Sequence, residues 1–252
     1  MPTTQPAIFL FATEDGTIVG WNPGVNPAGF DPAKAGTYGI VAVETPDAVY
    51  KGLAIATDSG GKAHLYATNF RARSVDVFDS TFHLVHSPGA FVDERLPRRF
   101  SPFNVQPIVI NGSTRMFVTY AVRDEEGKDD VRGEGHGIVD TFDVGGGSLV
   151  RFAQHGQLNS PWGVALAPEG FGDLGGTIWI GNFGNGHIDA YDPATGRFIS
   201  KVRDDHGQAI VIDGLWALKF GNGGNGGDKN TVYFTAGPND ENDGLFGSLR
   251  PN

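Results

Sequence analysis

One pattern recurs along this chain and constrains its fold more than any other feature. A short apolar strand is followed by a Gly-rich turn, a second strand, a loop, and a third strand ending near Asp or Asn-Pro. PWGVALAPEG (161–170) precedes TIWIGNFGNGHIDAYD (177–192), and YKGLAIATDSGG (50–61) precedes HLYATNFRARSVDVFD (64–79). DGLWALKFGNGG (213–224) precedes TVYFTAGPNDENDGLFGSL (231–249), and a looser copy runs from FNVQPIVINGS through RMFVTYAV to GHGIVDTFDV (103–144). A copy without its first strand opens the chain as AIFLFATEDGTIVGWNP (7–23). A fourth strand follows in places, as LVRFAQ (149–154) and FISKVRD (198–204).

Gly52, Asn104, Gly163 and Gly214 mark equivalent points of the copies, spaced by roughly 50–60 residues, close to the period of propeller blades. A lone four-stranded sheet cannot bury both faces, whereas sheets stacked radially bury each other and keep only short edges. A β-sandwich also yields evenly spaced short strands, but it does not require one unit five times over. The expected fold is therefore an all-β propeller, in blades of about 7–49, 50–100, 101–156, 157–211 and 212–252. No i, i+3, i+4, i+7 stripe runs ten residues free of Gly or Pro, so no ordinary helix is expected.

With 38 Gly but also 18 Phe, 6 Tyr and 4 Trp, the chain has abundant turns and enough aromatic bulk for a core, which argues against disorder. The net charge of −10 and the lack of a Lys/Arg-rich run argue against nucleic acid as a partner. Cysteine is absent, which removes disulfides, thiolate metal sites and Cys nucleophiles. No apolar run approaches the roughly 20 residues of a membrane helix. The start, MPTTQP, lacks the basic and apolar regions of a signal peptide, consistent with a cytoplasmic protein or with numbering that begins inside a longer precursor.

The units GLAIAT, LNSPWGVALAP with TIWIGNFGNGHIDAYDPATG, and GLWALKFGNGG with VYFTAGPNDENDGLFG resemble a family of secreted bacterial propellers, some with PEP-CTERM sorting tails. LNSPWGVALAP more loosely resembles the NHL-repeat and gluconolactonase-like propellers. The resemblance implies a six-bladed ancestor and an extracellular or periplasmic location, and says little about activity. Members carry a further blade and an inner strand before AIFLFATEDG, whereas here Ala7 stands close to the first Met. About five blades are thus expected, the first and last incomplete, with self-association, a five-bladed closure or a shortened gene as explanations.

In a propeller the second-to-third-strand loops share one rim with the segments entering each inner strand, so function is expected there. The resemblance to gluconolactonases implies Ca²⁺ or another divalent cation, with Glu14, Asn69, Asn104, Asn159, Asn182 and Asp213 as candidate ligands. Asn and Asp are equally ordinary loop residues. His136, His206 and Asp213 are candidate acid–base groups, and Gln106, Trp162 and Trp216 candidate ligand-binding groups. The two tryptophans either stack a ligand or pack between blades. The loop DEEGKDDVRGEGHG (124–137) is a solvated excursion or a lid. NDENDG (239–244) imitates the head of an EF-hand loop, but Arg250 stands where the twelfth-position Glu belongs. Of two functional readings, a binding or scaffold module for a small molecule, carbohydrate or protein leads, and a divalent-metal-dependent hydrolase or lactonase follows.

Overall fold

A computed structural model describes residues 5–85 and 87–251. The alternating segments form five antiparallel sheets in chain order. The first contains β1 (Phe9–Ala12), β2 (Thr17–Trp21) and β3 (Gly39–Glu44), and the second β4 (Tyr50–Thr57), β5 (Ala63–Asn69) and β6 (Ser74–Phe78). The third contains β7 (Phe100–Ile110), β8 (Ser113–Val122), β9 (Gly137–Phe142) and β10 (Val150–Gln154). β11 (Pro161–Leu166), β12 (Ile178–Asn182), β13 (Ile188–Tyr191) and β14 (Phe198–Lys201) form the fourth, and β15 (Leu215–Phe220), β16 (Val232–Ala236) and β17 (Leu245–Leu249) the fifth. The stretches LVRFAQ and FISKVRD do supply fourth strands, as β10 and β14.

Each sheet packs face to face on the next. Leu65, Ala67 and Phe78 of the second sheet meet Ile18 of the first, and Tyr66 and Ala54 on the opposite face meet Val105, Met116 and Val118 of the third. Ile108 and Phe117 meet Ile178 and Ile180, and Trp179 meets Leu218 and Phe234. Between sheets the closest contacts run through the first strands, β4 on β7, β7 on β11 and β11 on β15. These radial cores around a line of inner strands make the protein a β-propeller.

Five sheets joined by four such cores leave the ring open between the fifth and the first. Phe9, Phe11 and Val41, on the uncovered face of the first sheet, are 57%, 52% and 54% exposed, and Phe246 of the fifth is 71% exposed. Among the described residues the first sheet has no equivalent of β4, β7, β11 or β15, because β1 leads into β2 as β5 leads into β6. Among the described residues the fifth, like the second, has no equivalent of β10 or β14.

A repeated irregularity shapes the centre. The inner strands bulge between Tyr50 and Gly52, Pro102 and Asn104, Pro161 and Val164, and Leu215 and Leu218. A bulge leaves one backbone N–H without its ladder partner. In three sheets a threonine hydroxyl accepts it: Thr68 from Gly52 at 2.7 Å, Thr119 from Asn104 at 3.1 Å and Thr235 from Ala217 at 3.3 Å. The register therefore corrects the sequence alignment. Ala217 is the equivalent of Gly52, and Gly214 stands three residues earlier, level with Ser160. Both residues at that level are left-handed, with φ of 62° at Gly214 and 46° at Ser160.

Gly163 shows how tightly inner strands approach. A Cβ there would sit 2.6 Å from the Trp216 carbonyl oxygen and 3.1 Å from the Leu218 nitrogen, both backbone atoms that cannot swing aside. Gly163→Ala is expected to cost about 1–3 kcal/mol in urea unfolding. Gly244→Ala, where a Cβ meets open space, should be nearly silent in the same measurement.

Candidate functional site

The bulges turn Lys51, Phe103, Trp162 and Trp216 toward the axis. Phe103 of the third sheet lies 5.7 Å from Trp216 of the fifth, centroid to centroid, so the aromatic side chains meet across the middle of the ring. Trp216 stacks on Phe183 at 4.2 Å and takes the edge of Trp162 at 5.4 Å, while Phe70 packs on Phe103 at 5.5 Å. Phe70 and Phe183 follow Asn69 and Asn182 and are held alike, their N–H groups donating to the carbonyls of Val49 and Ser160. This mouth of the ring is filled by an aromatic plug whose Phe members are buried and whose Trp members are half-buried.

Charged groups surround the plug. Lys51 pairs with Glu14, lies 3.6 Å from Asp129, and sits 5.9 Å from the centre of the Phe70 ring. The Arg132 guanidinium lies 4.6 Å from the Phe183 centroid, within cation–π range. Trp216 donates its indole N–H to Glu241 at 2.8 Å. Beside the plug, Asp130 Oδ2 and Ser160 Oγ are buried near one another, and Trp162 Nε1 is buried with no hydrogen-bond partner among the described residues. Burial raises the Asp130 carboxyl above its ordinary range, opposed by the neighbouring Ser160 hydroxyl and by the charges of Arg132 and Lys51. Ser160 holds its hydroxyl there on a left-handed backbone, where the equivalent position of the fifth sheet is a glycine.

The structure gives the candidate asparagines specific tasks. Asn69 Oδ1 accepts from the N–H groups of Val49 (3.4 Å) and Ala72 (3.1 Å), while its amide donates to Asp76 at 3.1 Å. Asn182 repeats this one blade pair onward: Oδ1 accepts from Asn159 N–H at 2.9 Å, and Nδ2 donates to Asp189 at 2.8 Å. Asn159 Oδ1 accepts from Gly133 N–H at 2.7 Å, tethering the 124–137 loop, and Asn104 Nδ2 donates to the Trp162 carbonyl at 2.8 Å. These side chains clasp segments that lack ladder partners.

The remaining candidates are dispersed. Glu14 is paired with Lys51, and exposed Asp213 accepts from Asn239 N–H at 3.1 Å. His136 Nδ1 lies 2.8 Å from the Val131 carbonyl. Exposed His206 occupies a turn that lines a 760 Å³ cavity with Phe171, Leu174 and Leu249, between the outer strands of the fourth and fifth sheets. Half-buried Gln106 lies on β7 opposite Phe117. The segment 239–244 folds as a turn with Asn239, Asp240 and Glu241 all at positive φ. Among the described residues no three His, Asp or Glu side chains converge as a metal-binding group. Sequence reasoning missed Phe70, Phe103, Phe183, Asp130 and Arg132; the repeated Asn-Phe dipeptide at 69–70 and 182–183 was the available signal.

Comparison with known proteins fits this fold. No family model matches the chain. Two uncharacterised proteins of Acanthamoeba polyphaga mimivirus are 31% and 32% identical to it over 253 residues, covering 98% of the chain. The chain spans 58% and 62% of their respective lengths. Among solved structures it resembles a gluconolactonase of Xanthomonas campestris, with a TM-score of 0.53, 16% identity, and coverage of 96% of this chain and 82% of that one. An exo-β-1,3-galactanase of Phanerochaete chrysosporium gives a TM-score of 0.50 at 10% identity, covering 78% of this chain and 46% of that one. At such identities the likeness shows a shared propeller fold and nothing of activity. The curated relatives are viral, so the expected tie to secreted bacterial proteins gains no support from them.

Proposed function

We propose that this propeller is a non-catalytic binding module that engages a partner polypeptide on the loop face around its aromatic plug. The observation carrying this reading is the ring of Lys51, Arg132, Glu14, Asp129 and Glu241 around half-buried Trp162 and Trp216. Protein-recognition surfaces share this anatomy: a centre enriched in Trp and Arg, encircled by polar groups that shed little water until the partner arrives. The metal-dependent reading draws less support, because the side-chain oxygens of Asn69, Asn159 and Asn182 are turned toward backbone N–H groups of the fold.

Selection of peptides from a displayed library against the full chain tests the reading. Bound peptides are expected to lose at least tenfold in affinity on Arg132→Glu, an exposed position whose reversal spares the core. Chelation with EDTA should change neither peptide affinity nor melting temperature. Peptides indifferent to Arg132→Glu would overturn the assignment, and a chelator-induced fall of several degrees would transfer support to the metal-dependent reading.

A further inference from the structure

Five arginines gather at one edge of the second and third sheets, in a chain whose net charge is −10. They come from three separate stretches: the β5–β6 loop brings Arg71 and Arg73, the entry to β7 brings Arg98 and Arg99, and the exit of β8 brings Arg123. Pairing of Phe100 with Val122, and the Arg123 N–H donating to the Arg99 carbonyl at 2.9 Å, set the last two stretches side by side.

The fixed members are held by backbone. Arg73 donates from Nε to the Phe100 carbonyl at 2.9 Å and from Nη2 to the Pro97 carbonyl at 3.2 Å. Arg123 Nη1 donates to the Arg71 carbonyl at 3.0 Å, and Arg71 Nε to the Glu126 carbonyl at 3.2 Å. The Arg99 guanidinium lies 5.5 Å from the Phe100 ring centre. Carbonyl partners orient a guanidinium without cancelling its charge, leaving the other N–H groups free to receive an anion.

Among the described residues none of the five lies within 4.0 Å of a carboxylate, whereas Arg95 and Arg151 both reach Asp93. The nearby Asp124 accepts from Lys128 N–H rather than turning to the arginines. Arg73 also sits at φ 61°, a left-handed conformation that a long side chain adopts at some cost. Burial first, and then the like charges of Arg123 and Arg98, hold its guanidinium below the ordinary arginine range.

We propose that Arg71, Arg73, Arg98, Arg99 and Arg123 form a binding site for a phosphate dianion, free or carried as a small phosphate monoester. Guanidinium forks match the oxygens of a tetrahedral dianion bidentately, and two negative charges on one ligand offset more of this positive charge than a monoanion does. The five arginines are distinct from the side chains of the aromatic plug and of its charged surround.

Calorimetric titration of the full chain with inorganic phosphate and with phenyl phosphate, at ionic strength matched with sodium chloride, tests the site. Saturable binding is expected for at least one probe, weakened at least tenfold by Arg123→Gln. Arg98→Gln should weaken it severalfold, and because the exposed Arg98 side chain makes no hydrogen bond or ion pair among the described residues, that loss is not attributed to unfolding. Tighter binding of phenyl phosphate identifies an ester ligand, and equal binding identifies free phosphate. No saturable binding of either probe, or binding unchanged by Arg98→Gln and Arg123→Gln together, overturns the proposal.

Discussion

Arg151→Met is expected to remove about 3–5 kcal/mol of stability near pH 7.5, the largest effect of any single substitution considered for this protein. Arg151 bridges two carboxylates that water scarcely reaches: Asp93, with its side chain 1% exposed, and Asp140, at 0%. Nε meets Asp140 Oδ1 at 2.5 Å, Nη2 meets Asp93, and Nη1 reaches Gln154 at 2.6 Å. Methionine keeps most of the aliphatic stem but leaves two buried carboxylates close together without their shared cation. Against a typical total of about 5–15 kcal/mol, a loss of that size unfolds a large fraction of molecules on mild heating. Urea midpoints supply the measurement. Adding Asp93→Asn and Asp140→Asn to Arg151→Met should recover more than half of the loss, since no stranded charge then remains. A drop below about 1 kcal/mol for Arg151→Met would mean that solvent already screens the triad.

The triad also illustrates what the amino-acid pattern could and could not reveal. Alternation in TIWIGN and HLYATN, with glycine-marked turns between, is a local signal, because side-chain direction in a strand follows from neighbours alone. Five such units therefore announced five sheets. Asp93, in contrast, stands in an irregular loop and meets Arg151 of β10 only because two sheets pack together. Nothing in DERLPRRF or LVRFAQ encodes that meeting.

The rim shows the same division. Its residue types were readable, but their employment was not. Asn69 and Asn182 carry oxygens that suit a cation, yet the N–H groups of Val49 and Asn159 lie outside any ladder and needed acceptors. That requirement appears only once strand register is known. Register likewise moved the equivalence from Gly214 to Ala217, because each inner strand carries an extra residue at its bulge. Trp162 and Trp216 were legible as a pair, but Phe103 was not, because Lys51, Phe103, Trp162 and Trp216 share a structural position without sharing a chemical type. The arginine edge escaped because its three stretches are each short and lie far apart in the chain.

Asp189 gives the second large effect, in the pH dependence of stability. It is fully buried on β13, accepts from Asn182 Nδ2 at 2.8 Å through Oδ2, and among the described residues Oδ1 has no hydrogen-bond partner. Burial pushes its carboxyl up to about 6, only partly opposed by the Asn182 hydrogen bond and by the electrostatic influence of Lys201 and His187. Between the unfolded value of 3.8 and the folded value of about 6, the native state keeps the proton and the unfolded chain has released it. Stability therefore falls as pH rises through this window and levels off above it. A shift of about two units corresponds to roughly 3 kcal/mol. Asp140, also pushed up to about 6 by burial, acts in the same direction. The half-buried Asp58, Asp79 and Asp192 carboxylates are held below 3.8 by hydrogen bonds, so they act in the opposite sense but at lower pH. Asp189→Asn keeps an acceptor for Asn182 and removes the buried charge. The variant is expected to be more stable than the parent by about 2 kcal/mol above pH 7 and no more stable near pH 4.5. Urea unfolding of both proteins at four pH values between those limits measures the difference directly, and the other carboxylates cancel in it. A constant difference across the range would mean that Asp189 is already ionised in the fold, with water reaching its free oxygen.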